Sequence, residues 1–253
     1  MENEIITIAF VDDILEHRQQ IRTEIEKHQN LTIVAEGEDG RDILSQLFRL
    51  NKKNKLPQIL LLDIQMPKCC GLVVTILCKW FFPSIKVVGL SVHTTPFVIS
   101  QIMVEGADGF LSKFIVQPNS MVYTAYNDKN IFMNALLKII NGEKYIDELL
   151  DGVDAIDTTN CISCSKVINT HFYNLKPLEI QFILLNGAGF TRKEIATFLN
   201  FKDDIIIKNI ATKIYKQFNV KNHDDLNRFA VMNGLLKFVE VYQKTAFKNL
   251  LNA

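Results

Sequence analysis

The sequence predicts an α/β domain followed by an all-α domain, and three observations support this prediction. Short apolar runs alternate with amphipathic segments over about the first 145 residues. Such alternation predicts a doubly wound fold, in which a five-stranded parallel sheet is covered by helices on both faces. Two of the apolar runs end in aspartates, at Asp12 and at Asp63. In the last third of the chain the apolar residues recur at helical spacing, which predicts a group of packed helices.

The composition agrees with two ordinary domains. The chain has 253 residues, of which 48% are hydrophobic, enough for sizeable cores. The N-terminus lacks a secretory signature and no apolar stretch approaches a membrane span, so we expect a cytoplasmic protein with no membrane partner. Residues 170–253 carry 12 Lys and Arg against 7 Asp and Glu, whereas residues 1–169 carry 16 against 21. This division of charge favours different partners for the two halves.

The predicted strands and helices follow one another in regular order. Strands are predicted at 5–11, 31–36, 58–62, 85–90 and 108–112. Helices are predicted at 15–28, 40–50, 71–80, 95–105 and 129–141. Sheets of this kind bind ligands outside the carboxyl ends of their strands. Residues that follow strands therefore meet at that edge: Asp12, Asp13, Asp63, Ser91 and Lys113.

These side chains favour phosphoryl chemistry. Three carboxylates can hold a divalent cation, and beside a cation a carboxylate can accept a phosphoryl group. The ammonium group of Lys113 can pair with the acids at rest and with an added phosphoryl group afterwards. The hydroxyl of Ser91 can donate to an oxyanion at Asp63. Each residue alone has a structural interpretation, since an aspartate at a strand end is often a helix cap.

Together these residues resemble the receiver domain of a two-component response regulator over residues 1–145. The resemblance rests on the Asp12-Asp13 pair, on Asp63-x-x-Met66-Pro67-x-x-x-Gly71, and on Ser91 and Lys113. It implies a flavodoxin-like fold in which a sensor histidine kinase or a phosphotransfer protein phosphorylates Asp63. It also implies that the protein is no enzyme beyond self-catalysed phosphoryl transfer to and from Asp63.

The resemblance assigns further roles within this site. The implied ligands of Mg²⁺ are Asp12, Asp13, Asp63 and the backbone carbonyl of Gln65. Ser91 and Lys113 would bind the phosphoryl oxygens. Phe110 matches the aromatic switch residue of the family, although as a residue of an apolar strand it is equally an ordinary core aromatic.

The second half of the chain is predicted to be helical after a linker at 146–170. Pro177 fits a first helical turn, and Thr191 and Glu194 form a capping box before a short helix. A longer helix with lysines is predicted at 204–218. A short helix, a turn and a longer helix suit a helix-turn-helix, although such a pattern alone is more often a solvated surface.

Spacing adds a second resemblance, to the LuxR-type DNA-binding domain of NarL/FixJ response regulators over residues 171–237. It rests on Leu175-x-Pro177-x-Glu179, Gly189-x-x-x-Lys193-Glu194-Ile195-Ala196, Lys208-Asn209 and Ile214-Tyr215-Lys216-x-Phe218-x-Val220. The resemblance implies that the helix at 204–218 enters the major groove. It also implies that the helix at 224–236 supplies the surface through which the active protein forms a homodimer. The implied DNA contacts are Arg192, Lys193, Lys208, Lys213 and Lys216. A helical extension is predicted at 238–253.

The chain departs from this second pattern, and the departures leave an alternative open. Lys176 replaces the usual threonine cap, Asn219 replaces a glycine, and Asp203-Asp204 place negative charge where DNA would lie. About eight extra residues also follow Lys113. The alternative is a phosphate sink or protein-interaction module whose helical domain no longer binds DNA.

The cysteines carry no clear pattern. The five are Cys69, Cys70, Cys78, Cys161 and Cys164. Cys161 and Cys164, with His171, could form part of a zinc site, but the chain has no second pair at this spacing. Free thiols are the favoured interpretation.

Overall fold

The chain folds into two units in the computed structural model, and the division falls between residues 161 and 162. The structure describes residues 5–66, 69–92, 96–117, 123–124, 130–147 and 175–232. Several predicted features lie outside these residues: most of the linker, Cys161, Cys164, His171, and the extension at 238–253.

The first unit contains the predicted parallel sheet. Its strands are β1 (Ile6–Val11), β2 (Leu31–Gly37), β3 (Ile59–Asp63), β4 (Lys86–Ser91), β5 (Gly109–Ser112) and β6 (Tyr145–Ile146). All neighbouring strands are parallel, in the order β2-β1-β3-β4-β5-β6. The α/β fold class is confirmed, and each of the five predicted strands agrees to within one residue at each end. The sixth strand, only two residues long, is too short to give a periodic signal.

Helices cover both faces of the sheet. They are α1 (Leu15–Glu26), α2 (Gly40–Asn51), α3 (Gly71–Phe81), α4 (Pro96–Val104) and α5 (Ile131–Ile140). On one face Ile21 of α1 and Leu136 of α5 belong to the same buried cluster as Ile8 and Phe10 of β1. The helices α2, α3 and α4 contact the strands and one another. Because both faces are covered, all five residues of β3 are buried, which explains its uninterrupted apolar run.

The connection from β3 to α3 brings two stretches of backbone into close approach. The Gly71 amide donates to the carbonyl of Ile64 at 3.0 Å. A Cβ atom at Gly71 would lie 2.5 Å from the carbonyl oxygen of Asp63 and 2.8 Å from Cα of Ile64. Position 71 therefore has no room for a side chain while Asp63 keeps its place.

The second unit is helical, as predicted. Its helices are α6 (Pro177–Gly187), α7 (Arg192–Phe198), α8 (Ile205–Phe218) and α9 (His223–Met232). The predicted capping box of α7 is present: the Thr191 hydroxyl accepts from the Glu194 amide at 3.3 Å, and the Thr191 amide donates to Glu194 Oε2 at 2.8 Å. Apolar residues of all four helices are buried, among them Phe182, Ile195, Ile214 and Leu226.

Two residues that depart from the family pattern still serve the ends of helices. Asn219 ends α8 with a φ of 53°, a left-handed conformation that asparagine tolerates better than most other residues. At the start of α6, the Lys176 amide donates to Glu179 Oε2 at 2.8 Å, so Glu179 supplies a cap from inside the helix. Neither departure prevents the local fold.

The thiols of Cys69, Cys70 and Cys78 are buried and form no disulfide with one another. Burial raises the pKa of the Cys78 thiol to about 12, so this thiol is protonated at neutral pH. Within the ranges given above, the structure contains no helix with the length and apolar character that a membrane crossing requires.

We expect Gly71→Ala to lower the free energy of unfolding by about 1–3 kcal/mol, because the added methyl group must displace the backbone of β3. Denaturant unfolding followed by circular dichroism measures this. Gln19→Ala, at an exposed position of α1, is the control and should change the free energy by less than about 0.5 kcal/mol. Equal midpoints for the two variants would contradict the steric argument.

Candidate functional site

Three carboxylates meet at the carboxyl edge of the sheet. Asp12 and Asp13 follow β1, and Asp63 is the last residue of β3, the strand beside β1. Each offers one carboxylate oxygen within 4.8 Å of the other two. Asp12 and Asp63 are buried, with exposed fractions of 0% and 3%, and Asp13 is half-buried. The predicted acidic cluster is therefore assembled by neighbouring strands that end together.

Lys113 lies between two of these acids. Its Nζ is 2.7 Å from Asp12 Oδ2 and 3.0 Å from Asp63 Oδ1. Lys113 begins a 3₁₀ turn, Lys113–Val116, directly after β5, and is itself buried. The end of β5 is held by Asp147, whose Oδ2 accepts from the Ser112 amide at 3.2 Å. The buried ammonium group of Lys113 needs the carboxylates of Asp12 and Asp63 as partners, because an unpaired buried charge is costly.

The surroundings of Asp63 oppose its ionisation. The pKa of this carboxyl is raised to about 7, mainly by burial and also by the neighbouring charge of Asp12, against the opposing effects of Lys113 and the Gln65 amide. The Gln65 amide donates to Asp63 Oδ1 at 3.2 Å. Proton binding to Asp63 is thus easier than for an exposed aspartate, and an added positive charge would favour the carboxylate.

The same residues fit a hard divalent cation. Three carboxylates face one ammonium group, which leaves negative charge for a cation to balance when all three are ionised. Carboxylate and carbonyl oxygens are the donors that Mg²⁺ prefers, and the ion usually keeps several waters besides. Asp12, Asp13 and Asp63 therefore form a chemically suitable Mg²⁺ site.

The remaining predicted residues of the first unit lie on the strands next to Asp63. Ser91 ends β4, one residue beyond Leu90, which pairs with Asp63 in the sheet register. Phe110 is fully buried in β5, opposite Gly89 of β4. Strand order therefore places Ser91 at the edge that carries the acids, whereas Phe110 lies in the core behind it.

Two residues of α1 join the site without having been predicted. His17 Nδ1 is 3.4 Å from Asp12 Oδ1 and 3.4 Å from Lys113 Nζ. Arg18 Nη1 donates to the carbonyl of Asp12 at 2.9 Å, and its Nε donates to Glu36 at 3.2 Å. Both residues lie close to Asp12 and Asp13 in the sequence, which was the only sign that they could belong to the site. Periodicity does not show which side chains of a first helical turn point toward the edge of the sheet.

In the helical unit, the predicted DNA contacts fall into two groups. Arg192, Lys193, Lys208 and Lys216 are exposed. Lys213 is exposed too, but its Nζ lies 2.5 Å from Glu179 Oε1. Burial by itself would raise the pKa of Glu179, but hydrogen bonds from Lys213 and the Lys176 amide outweigh it and hold this pKa below its usual value. Lys213 therefore already has an anionic partner within its own unit.

Comparison with known proteins agrees with this geometry. Residues 8–126 match the family of the response regulator receiver domain. The chain is 23% identical to the transcriptional regulatory protein DegU of Brevibacillus brevis, over 92% of this chain and 95% of the relative. It is also 23% identical to the response regulator UvrY of Escherichia coli, over 91% and 96%. The RcsB response regulator of Salmonella typhimurium aligns in structure with 21% identity and a TM-score of 0.46, over 89% of this chain and 98% of that one.

The first unit, with its parallel sheet and its buried acids paired to a lysine, is a response regulator receiver domain. The chain as a whole is similar to response regulators over more than nine-tenths of its length, and a receiver followed by a helical unit is the arrangement expected for the NarL/FixJ type.

Asp63→Asn should stabilise the fold, and more so at high pH. An aspartate in an unfolded chain titrates near pH 3.9, whereas folded Asp63 titrates at about 7. Between these values the folded state retains a proton that the unfolded chain has lost, so the contribution of Asp63 to stability falls as pH rises from about 4 to about 7. Asp63→Asn has no such pH-dependent loss. The difference in free energy of unfolding between this variant and wild type should therefore be about 2–4 kcal/mol larger at pH 8 than at pH 4.

Denaturant unfolding in the presence of a metal chelator measures this difference. Glu16→Gln, at an exposed acid of α1, is the control and should show no comparable growth with pH. A constant difference between Asp63→Asn and wild type across this range would contradict the raised pKa.

Proposed function

We propose that the protein is a transcription factor controlled by phosphorylation. A sensor histidine kinase or a phosphotransfer protein would donate the phosphoryl group to Asp63, and the helical unit would bind DNA as a homodimer. The observation that carries this proposal is the buried cluster of Asp12, Asp63 and Lys113 beside the half-buried Asp13. Its donor set suits Mg²⁺, and its carboxylate at the strand end suits an acceptor.

The proposed reaction uses residues whose positions are described above. A carboxylate oxygen of Asp63 attacks the phosphorus atom, a new O–P bond forms, and the bond from phosphorus to the donor breaks with its electron pair staying on the donor. Lys113 then moves from the carboxylates to a phosphoryl oxygen, and Ser91 donates its hydroxyl to another. When bound by Asp12, Asp13, Asp63 and the Gln65 carbonyl, Mg²⁺ neutralises charge during in-line transfer.

The signal would leave the site through the strands beside it. If Ser91 moves toward the phosphoryl group, space opens near the end of β4, and Phe110 on β5 can repack into it. Phosphorylation then shifts a population between two arrangements of this part of the receiver. We propose that the shifted arrangement permits dimerisation or release of the helical unit.

We propose residues 171–237 as the DNA-binding domain, with α7 and α8 as its helix-turn-helix. Arg192, Lys193, Lys208 and Lys216 are exposed and would meet phosphates or bases, with α8 in the major groove. Lys213 would contribute less than Lys208, because DNA would have to compete with Glu179 for it. The helix α9 is the proposed dimer surface.

Asp63→Asn should abolish Mg²⁺-dependent incorporation of phosphate from a small phosphodonor, because the amide oxygen is a poor nucleophile. Intact-protein mass spectrometry measures the incorporation. The control Glu16→Gln, at an exposed acid three residues beyond Asp13, should be labelled like wild type. Persistent labelling of Asp63→Asn would exclude Asp63 as the acceptor.

Lys208→Ala should weaken binding of the full-length chain to its cognate duplex by about 1–3 kcal/mol, or about fivefold to 160-fold, the range for loss of one specific contact. If Lys208 meets a phosphate, the salt dependence of binding should also fall by about one unit of slope. Fluorescence anisotropy over a range of salt concentrations measures both quantities.

The matched control is Lys221→Ala, which removes an exposed lysine that lies outside α7 and α8. It should lower affinity far less. Unchanged binding by Lys208→Ala would remove this residue from the interface. If the full chain binds no duplex and instead captures a protein partner with little salt dependence, the helical unit serves protein contact.

A further inference from the structure

The first turn of α8 exposes two isoleucines. Ile205 is 58% exposed and Ile206 is 43% exposed, although isoleucine is among the residues most often buried. They are the only large apolar residues of 175–232 that reach such exposure among the side chains described there. The core-facing positions of this helix are filled by Ile207, Ala211 and Ile214.

These isoleucines share the outer surface of α8 with polar residues. Ile205, Lys208, Asn209 and Thr212 are spaced three, four and seven residues apart, and the last three are also exposed. An apolar pair thus stands at the start of a helix face that continues with a cation, an amide and a hydroxyl.

The turn before α8 is compatible with DNA despite its acids. The Ile205 amide donates to Asp203 Oδ1 at 3.0 Å, so one carboxylate is held against the positive end of the helix. The exposed Lys193 and Lys202 line the same surface concavity as Asp203 and Asp204, and the exposed Lys208 lies in the first turn of α8. A polyanion is a better match for these cations than a neutral apolar partner, which favours DNA as the occupant of this surface.

We propose that Ile205 and Ile206 recognise thymine through its 5-methyl group. This inference rests on the proposed function, in which α8 enters the major groove. Residues at the start of such a helix contact base edges, and the methyl group of thymine is the apolar group that those edges offer.

Asn209 extends this assignment to adenine, whose N6 and N7 pair with an asparagine amide. Four residues of helix rise about 6 Å, close to two base-pair steps of about 3.4 Å. The preferred half-site therefore contains A·T pairs about two steps apart.

Replacement of thymine by uracil tests the inference, because uracil pairs identically and lacks only the methyl group. The probe is a duplex selected from a random library by the full-length chain treated with a small phosphodonor. Each thymine is then replaced singly by deoxyuridine, and the affinity is measured by fluorescence anisotropy. At one or two positions in each half-site, we expect a loss of about fourfold, which corresponds to about 0.8 kcal/mol for one buried methyl-sized group.

The variants identify which residue contacts each methyl group. In Ile205→Ala or Ile206→Ala, the affinity for the thymine duplex divided by the affinity for the uracil duplex should fall from about four to near one at the contacted position. Lys208→Ala is the matched control, since it should weaken both duplexes equally and preserve the ratio.

Three results would overturn the inference. Equal affinity for every uracil duplex would show that no methyl group is recognised. A ratio that persists in both isoleucine variants would assign the methyl contact to other residues. Failure to select any duplex would instead reject the proposed DNA binding, and recognition of thymine with it.

Discussion

The receiver depends on one electrostatic constraint: the buried ammonium group of Lys113 must reach both Asp12 and Asp63. Lys113 follows β5, Asp12 follows β1 and Asp63 ends β3, so three strands distant in sequence have to end at one edge of the sheet. If the strand ends were misaligned, Lys113 would lose its partners, and an unpaired buried charge would cost several kcal/mol. The pairing of these charges therefore requires the strands to be aligned. Gly71 and Asp147 serve this alignment, the first by leaving room beside Asp63 and the second by holding the end of β5.

The same constraint makes the site responsive. Asp63 is buried beside two other carboxylates and one ammonium group, and burial is the main cause that raises its pKa to about 7, near neutral pH. An added cation or anion would compete for the groups that Lys113 pairs with, because Lys113, Asp12 and Asp63 are buried and interact at short range. Ser91 of β4 and Phe110 of β5 lie on the strands that follow β3 in the sheet, which is why the proposed function gives them the role of receiving a change at Asp63.

In the helical unit, pairing and exposure separate side chains that look alike in the sequence. Lys208 and Lys213 are both lysines of α8, yet Lys213 is bound to Glu179 and helps hold α6 to α8. Asp203 appears unfavourable beside DNA, but its carboxylate accepts from the first amide of the helix that would enter the groove. Ile205 and Ile206 look like core residues by type, and they face outward because Ile207, Ala211 and Ile214 already fill the inner face.

The sequence by itself determined the five main strands, the capping box at Thr191 and Glu194, and the set of acids at Asp12, Asp13 and Asp63. Residue type and local periodicity carry these features, so no long-range information was needed. The tertiary structure decided the two-residue strand β6, the contacts of His17 with the site, and the pairing of Lys213 with Glu179. Each of these depends on distances between side chains on different elements, and such distances exist only after the chain has packed.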